Sequence, residues 1–330
     1  MRSLIKKGIM VAFVGLMILA LLLVYGCGKP IPISLNIGAL NGPTAMGMIK
    51  IIDEMSANGD DGPWETTLVS APDLIVPMII QGELDIAAVP ANLAATIYNK
   101  TEGGVKVIGI NTLGVIYIVE KGDSISSVED LKGKTIYASG QGATPEFALN
   151  YILKENGIDP EKDLTIEWKS EHAECVAAIS SEEGGIAMLP QPFVTVAMTQ
   201  EAELRVALDL TSEWDKLNVG KDDASMMITG VTIARTEVIE QKGDAIKEFL
   251  KAYEESVEFV NANPVESAEL IGKYEIVPAP VAEKAIPECN IVLIQGEEMK
   301  KALSGYLKVL FDADPKSVGG SLPGDEFFYE

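Results

Sequence analysis

One histidine, His172, stands among the 330 residues, three positions before Cys175. On a helix that spacing puts both side chains on one face, and imidazole with thiolate invites a metal. A closed zinc site needs four ligands, however, and nothing in the sequence places carboxylates beside the pair, so no metal is expected. No Ser/His/Asp or Cys/His set is visible either, and a single histidine restricts the choice of general base. No cofactor is implied. The remaining residues with chemical use lie in loops. Gly42-Pro43-Thr44 answers Gly142-Ala143-Thr144 at an offset of 100 residues, Ser70 answers Ser170, and Asp85-Ile86-Ala87-Ala88-Val89-Pro90 answers Gly185-Ile186-Ala187-Met188-Leu189-Pro190. Such loops hold small molecules by hydrogen bonds; ordinary turn and cap chemistry is the alternative reading of each.

What positions these loops is a β-loop-α unit read twice. In the first copy, β-type runs at Ile33–Leu40, Glu65–Val69 and Asp85–Val89 alternate with helical segments near Thr44–Ala57, Asp73–Gln81 and Asn92–Tyr98. Pro77 is expected in the first turn of its helix, where a missing N–H costs little. In the second copy the runs are Lys134–Ser139 and Leu164–Lys169, and Thr144-Pro145-Glu146 reads as a helix start: a capping hydroxyl, a first-turn proline and an acid at the positive end. That helix ends near Asn156, before Gly157. Ser126-Ser127-Val128-Glu129 reads as a capping box. Short β-branched runs alternating with helices predict an α/β chain with mostly parallel sheets.

The duplication predicts two lobes facing across a cleft. Val105–Ile110 belongs to the first, Gly114–Glu120 leads into the second, Phe193–Gln200 and Arg205–Leu210 follow there, and Met226–Ala234 returns. Crossings near Thr112–Ile116 and Met227–Val231 make a two-strand hinge. Helical segments at Ala245–Asn263, Pro264–Lys273, Pro280–Ala285 and Glu297–Phe311 pack back on the first lobe, and the tail from Gly319 is expected to be loosely packed. The division is therefore 27–115 with 229–330 as lobe one and 116–228 as lobe two. Cys175 and Cys289 fall in different lobes, where a disulfide would lock the pair, so both are expected as buried thiols.

Ligands in open α/β sheets bind beyond the carboxyl ends of the strands. That rule selects Asn41, Gly42, Thr44, Ser70 and Asn92 in lobe one, and Gln141, Gly142, Thr144, Ser170 and Gln191 in lobe two. Helix N-termini at Thr44 and Thr144 offer backbone N–H groups to an anion without any arginine. Phe193, Tyr117 and Met226 are candidates for an apolar wall. The pocket so lined predicts a small solute, neutral or carrying one negative charge.

The first 26 residues read as a signal peptide rather than as part of the fold. Arg2, Lys6 and Lys7 precede a nearly unbroken apolar run, Ile9–Val24, and Cys27 stands just past its end. Val24-Tyr25-Gly26-Cys27 resembles a lipobox, in which Cys27 takes a lipid; an uncleaved membrane anchor is the competing reading. Either places the remainder outside the cytoplasmic membrane. With the three basic residues of that segment removed, 23 basic residues face 49 acidic ones, a net charge of −26. Such a charge repels nucleic acid and gives no reason to bind anionic lipid.

Leu131-Lys132-Gly133-Lys134-Thr135-Ile136, followed by Gly140-Gln141-Gly142-Ala143-Thr144, resembles a segment of type II solute-binding proteins. The likeness is nearest to the sulfonate, nitrate, taurine and thiamine-precursor branch of ABC uptake systems. It extends to Gly82-Glu83-Leu84-Asp85-Ile86-Ala87 and to the closing Gly320–Tyr329. The resemblance implies a two-lobed type II periplasmic-binding-protein fold that captures a small solute, works as a monomer, and delivers to an ABC permease and its ATPase. An enzyme on the same fold, or the ligand-binding module of a sensor, are the alternatives. Amino-acid-binding relatives clamp a carboxylate with arginine. This chain has only Arg2, Arg205 and Arg235, and the last two lie off the predicted cleft loops.

Overall fold

The first three strands, β1 (Leu35–Leu40), β2 (Trp64–Val69) and β3 (Ile86–Pro90), pair in parallel with β1 central. Their residues are buried on both faces at β3, as the run Ile-Ala-Ala-Val requires of a strand covered on two sides. In this computed structural model, which describes residues 34–330 except 60, 61, 143, 182, 183 and 221–224, Leu35–Glu330 form one compact unit holding two sheets. The segment 1–33, with the signal peptide and Cys27, lies outside the described residues. Among the described residues no helix is long and apolar enough to cross a membrane.

Six strands make the first sheet, in the order β11-β4-β10-β3-β1-β2, with β4 (Val105–Leu113), β10 (Ile228–Arg235) and β11 (Ile291–Ile294) antiparallel to their neighbours. The second runs β7-β6-β8-β5-β9 and is built from β5 (Ile116–Lys121), β6 (Thr135–Ser139), β7 (Thr165–Lys169), β8 (Ile186–Pro190) and β9 (Leu204–Asp209). Here β6 is the central parallel strand between β7 and β8, and β5 lies antiparallel to β8, as β10 does to β3. The two sheets thus share one plan. Pairing refines the sequence offset: Ile86 answers Ile186 and Thr66 answers Ile166 at 100 residues, while Ile37 answers Ile136 at 99. The loop after β6 is accordingly one residue longer than the loop after β1.

Two connections join the sheets, β4 to β5 through Gly114-Val115, and β9 to β10 through the helix Leu210–Asn218. Gly114 suits the crossing, because a Cβ there would press on the Thr211 and Met227 side chains and force them to shift. Asn290 donates from Nδ2 to the Gly114 carbonyl at 2.6 Å and fixes the crossing.

Several elements differ from the sequence reading. The helix expected over Thr44–Ala57 is two helices, Pro43–Met46 and Ile49–Asn58, broken where Gly47 lets Ile291, Tyr253 and Val257 approach. Pro77 sits in the second turn of the helix Pro72–Gln81, not the first, because that helix begins with Pro72 at its first position. The short helix after Ser127 is a 3₁₀ turn, Val128–Leu131, and its box partner is Asp130, whose carboxylate accepts from the Ser126 and Ser127 N–H groups at 2.9 Å. The tail from Gly319 is packed rather than loose. Phe327 and Phe328 are buried, Tyr329 N donates to Val107 O, and Asn99 Nδ2 donates to Val318 O and Ser321 O at 2.7 Å each.

Candidate functional site

The C-terminal ends of the parallel strands of both sheets point at one another and enclose a cavity of about 700 Å³. From the first sheet come Asn41, Gly42, Pro43 and Thr44 after β1, Ser70 and Pro72 after β2, and Pro90, Asn92 and Leu93 after β3. From the second come Thr144 and Pro145 after β6, His172 after β7, and Pro190, Gln191, Pro192 and Phe193 after β8. Val115, Ile116 and Thr229 line it at the crossing strands, and Ile276 and Val277 complete the lining. A larger groove of about 920 Å³ runs along the outside of β7, but its Lys154, Asp159, Glu161 and Asp163 are surface charges and none of the repeated loops reaches it.

Seven of the ten residues selected from sequence therefore meet in one cavity: Asn41, Gly42, Thr44, Ser70, Asn92, Thr144 and Gln191. Gln141, Gly142 and Ser170 do not; all three are exposed outside it. Helix carboxylates hold them there, with Gly142 N donating to Glu146 Oε2 at 2.6 Å and Ser170 N donating to Glu174 Oε2 at 2.9 Å. Of the wall candidates only Phe193 lines the cavity. Tyr117 is buried and donates its hydroxyl to the Glu288 carbonyl at 3.1 Å, and Met226 packs on the core. Sequence reading selected the loop Ser170-Glu171-His172 but named Ser170 rather than His172 as its contact, and it missed Thr229, Leu93, Ile276 and Val277.

The two threonines behave differently. Thr44 donates its hydroxyl to Leu40 O at 2.9 Å, within its own loop. The helix it belongs to is a single turn whose Ala45 and Met46 N–H groups fold back to Gly42 O, so that end offers an anion little. Close packing around it depends on Gly230, where a Cβ would stand 2.5 Å from Thr44 Cγ2 and 2.4 Å from Asn111 Oδ1. Thr144 instead donates across the cavity to Asn92 Oδ1 at 3.3 Å, and Asn92 Nδ2 donates to Ser317 O at 3.4 Å. Glu146, in the first turn of that helix, caps Gly142 N on the outer side and lines the groove along β7 rather than the cavity.

Among the described residues no Lys, Arg, Asp or Glu lines the cavity. Arg205 is committed to Glu120, with Nη2 2.8 Å from Oε2, and Arg235 to Glu237 at 2.8 Å. Among the described residues the one titratable lining group is His172, whose pKa burial pushes below its ordinary value, so that it is uncharged at neutral pH. Its Nδ1 is in hydrogen-bond contact with the buried Ser139 hydroxyl, and its ring leans on Phe193 with centroids 4.8 Å apart. Gln191 accepts at Oε1 from Thr195 Oγ1 at 2.9 Å and from Thr195 N at 3.4 Å, which leaves its Nε2 amide as what it can offer a solute. Among the described residues no group of three or more His, Cys, Asp or Glu could hold a metal ion. Cys175 and Cys289 are free buried thiols, each with its pKa raised by burial.

A sequence model of periplasmic substrate-binding proteins of phosphonate ABC transporters matches residues 62–272. The chain belongs to that family. Among solved structures, an ABC transporter from Parabacteroides distasonis is 25% identical, with 90% of this chain and 99% of that chain covered and a TM-score of 0.73. The periplasmic aliphatic sulphonate binding protein of Escherichia coli shares the fold at 17% identity, over 90% of this chain and 92% of that one, with a TM-score of 0.71. A binding protein of Brucella abortus is 25% identical over 174 residues, covering 52% of this chain and 50% of that one. The chain thus spans about half the length of the curated relatives it matches.

Proposed function

We propose that this substrate-binding protein captures a small organic solute, neutral or carrying one negative charge, between two lobes and delivers it to an ABC permease and its ATPase. One observation carries the reading: answering loops from two sheets of like plan line one cavity of about 700 Å³, within the range of small-molecule sites and without a charged side chain among the described residues. Residues 27–115 and 229–330 form lobe one, 116–228 form lobe two, and the β4–β5 and β9–β10 connections are the hinge. The ligand-contacting set comprises Asn41, Gly42, Thr44, Ser70, Asn92, Thr144 and Gln191, with Thr144 and Asn92 closing the cavity between lobes. The protein works as a monomer outside the cytoplasmic membrane. Residues 1–26 are removed as a signal peptide and a lipid on Cys27 tethers the rest. The family is one of transport, and the Ser139 hydroxyl that meets His172 Nδ1 is buried behind the lining rather than presented to a solute, so the solute leaves unchanged.

Solute released by denaturing gently purified protein is identified by mass spectrometry and titrated back by calorimetry. We expect binding that weakens in Thr144→Ala and Asn92→Ala. Affinity indifferent to both changes, or turnover of the solute, contradicts the reading.

A further inference from the structure

We propose that the turn Glu288-Cys289-Asn290 latches the hinge: Asn290 seats the turn on the crossing, and Tyr117 of the second sheet binds it when the lobes are closed. Both are positioning residues, acting on lobe closure rather than touching the solute. The inference rests on the two-lobed reading above and deepens it.

The turn bonds the β4–β5 connection at three successive places. Leu113 N, at the end of β4, donates to Asn290 O at 3.1 Å, and Asn290 Nδ2 donates to Gly114 O at 2.6 Å. Past the crossing, Tyr117 in β5 donates its hydroxyl to Glu288 O at 3.1 Å. The first two bonds belong to the first sheet, since β11 follows Asn290 directly and pairs with β4. The third spans the pivot. Tyr117 is rooted in the core of the second sheet with Val119, Leu189 and Cys175, so rotation about Gly114-Val115 carries its hydroxyl away from Glu288. Burial pushes the Tyr117 pKa up, and the hydroxyl remains a donor.

The seat is a strained residue. Asn290 has a φ of 44°, a left-handed conformation uncommon outside glycine but one that asparagine tolerates. So turned, it offers its carbonyl to Leu113 and its side-chain amide to Gly114. The other end of the same segment reaches the solute cavity. Ile276 and Val277 line it, and the helix Ala279–Ala285 that follows packs against the helix Phe193–Gln200 of the second sheet, whose Phe193 lines the cavity in turn. Solute held between Ile276, Val277 and Phe193 therefore draws together the elements that bring Glu288 to Tyr117. Latch and solute favour the same closed form. Thr144 and Asn92 bond the lobes at the cavity, and Tyr117 with Glu288 bonds them at the hinge.

Cys289 lies inside the turn, fully buried, and is a native reporter of the latch; Cys175, buried within the second sheet's own core, is the control. Burial raises the pKa of both thiols, so their alkylation waits on local opening. N-ethylmaleimide is added to the purified protein stripped of solute, and modification at each thiol is followed by peptide mass spectrometry. Tyr117→Phe keeps the ring and removes the hydrogen bond, while the exposed Glu288 turns its carbonyl to water. It should speed modification of Cys289 about tenfold, the worth of one hydrogen bond, and leave Cys175 unchanged. Asn290→Asp keeps the tolerance for left-handed backbone but cannot donate to Gly114 O, and it too should speed Cys289 alone. Equal acceleration at both thiols marks a loosened fold and overturns the latch. A Cys289 rate that both variants leave unchanged, or that only one of them raises, overturns it as well. The cleft reading fails separately: solute binding indifferent to Thr144→Ala and Asn92→Ala contradicts it, whatever Cys289 shows.

Discussion

The loops after β1 and β6 occupy equivalent places in sheets of one plan, yet they do different work. In the first sheet the loop is closed on itself: Thr44 bonds Leu40 O and the first helix lasts one turn. In the second the loop is a residue longer, the helix Thr144–Glu155 is full, and Thr144 reaches the other sheet at Asn92. The same contrast recurs after β2 and β7. Ser70 lines the cavity, whereas Ser170 is turned out by Glu174 and His172 takes the place inside. Charge is anchored differently as well. Asp85 stands just before β3 and meets Lys242 at 3.2 Å, while the answering position is Gly185 and the second sheet carries a buried carboxylate, Glu120, on β5. Duplication supplies the scaffold, and the departures from it supply the polar contacts.

Replacing the second sheet's anchor should have the largest effect. Glu120 accepts from Ser124 N at 2.8 Å and from Ile125 N at 3.2 Å, and pairs with Arg205. Glu120→Ala strands these donors, and a loss of about 3 kcal/mol is expected in urea unfolding. Burial works to raise the Glu120 pKa, but those hydrogen bonds and Arg205 outweigh it and hold the carboxyl below its ordinary 4.5. Its contribution is therefore present above pH 4.5 and lost as pH falls below it, a slope that Glu120→Gln should flatten.

Gly230→Ala comes next, at about 2 kcal/mol, because overpacking displaces Thr44 or Asn111. The threonine pair then tests the asymmetry itself. Thr44→Ala and Thr144→Ala should each cost about 1 kcal/mol or less, but only Thr144→Ala should shift the protein toward an open form, read as a larger radius of gyration in X-ray scattering. Equal scattering for the two variants breaks the comparison. The shallowest effect is that of His172. Its folded pKa is lowered by burial, so stability is intact above pH 6.5, the ordinary value, and declines as pH falls below it; His172→Gln should remove that slope.

Strand spacing, the paired loops and the two crossings were legible in the sequence because strand periodicity and proline stops are local signals. The broken helix at Gly47 was not, since its cause is Ile291, far along the chain. The helix Leu210–Asn218 carried a readable cap that passed unnoticed: Asp209 accepts from Thr211 N and from the Ser212 hydroxyl. The tail looked loose because glycine and proline break it, yet Phe327 and Phe328 bury it against Tyr98 and Val107. At the site, offset alone placed Gln141, Gly142 and Ser170 inside. It could not show that Glu146 and Glu174 cap those loops outward, nor that a helix starting at His172 turns the imidazole inward.

The claim that this cavity is the solute site is tested most directly by filling it. Ser70 lines the cavity but is exposed, so Ser70→Trp adds bulk there without entering the core. Native mass spectrometry of protein purified from cells should show solute bound to the unaltered chain and none on Ser70→Trp, with the melting temperature of the solute-free proteins unchanged. Undiminished occupancy in Ser70→Trp contradicts the claim.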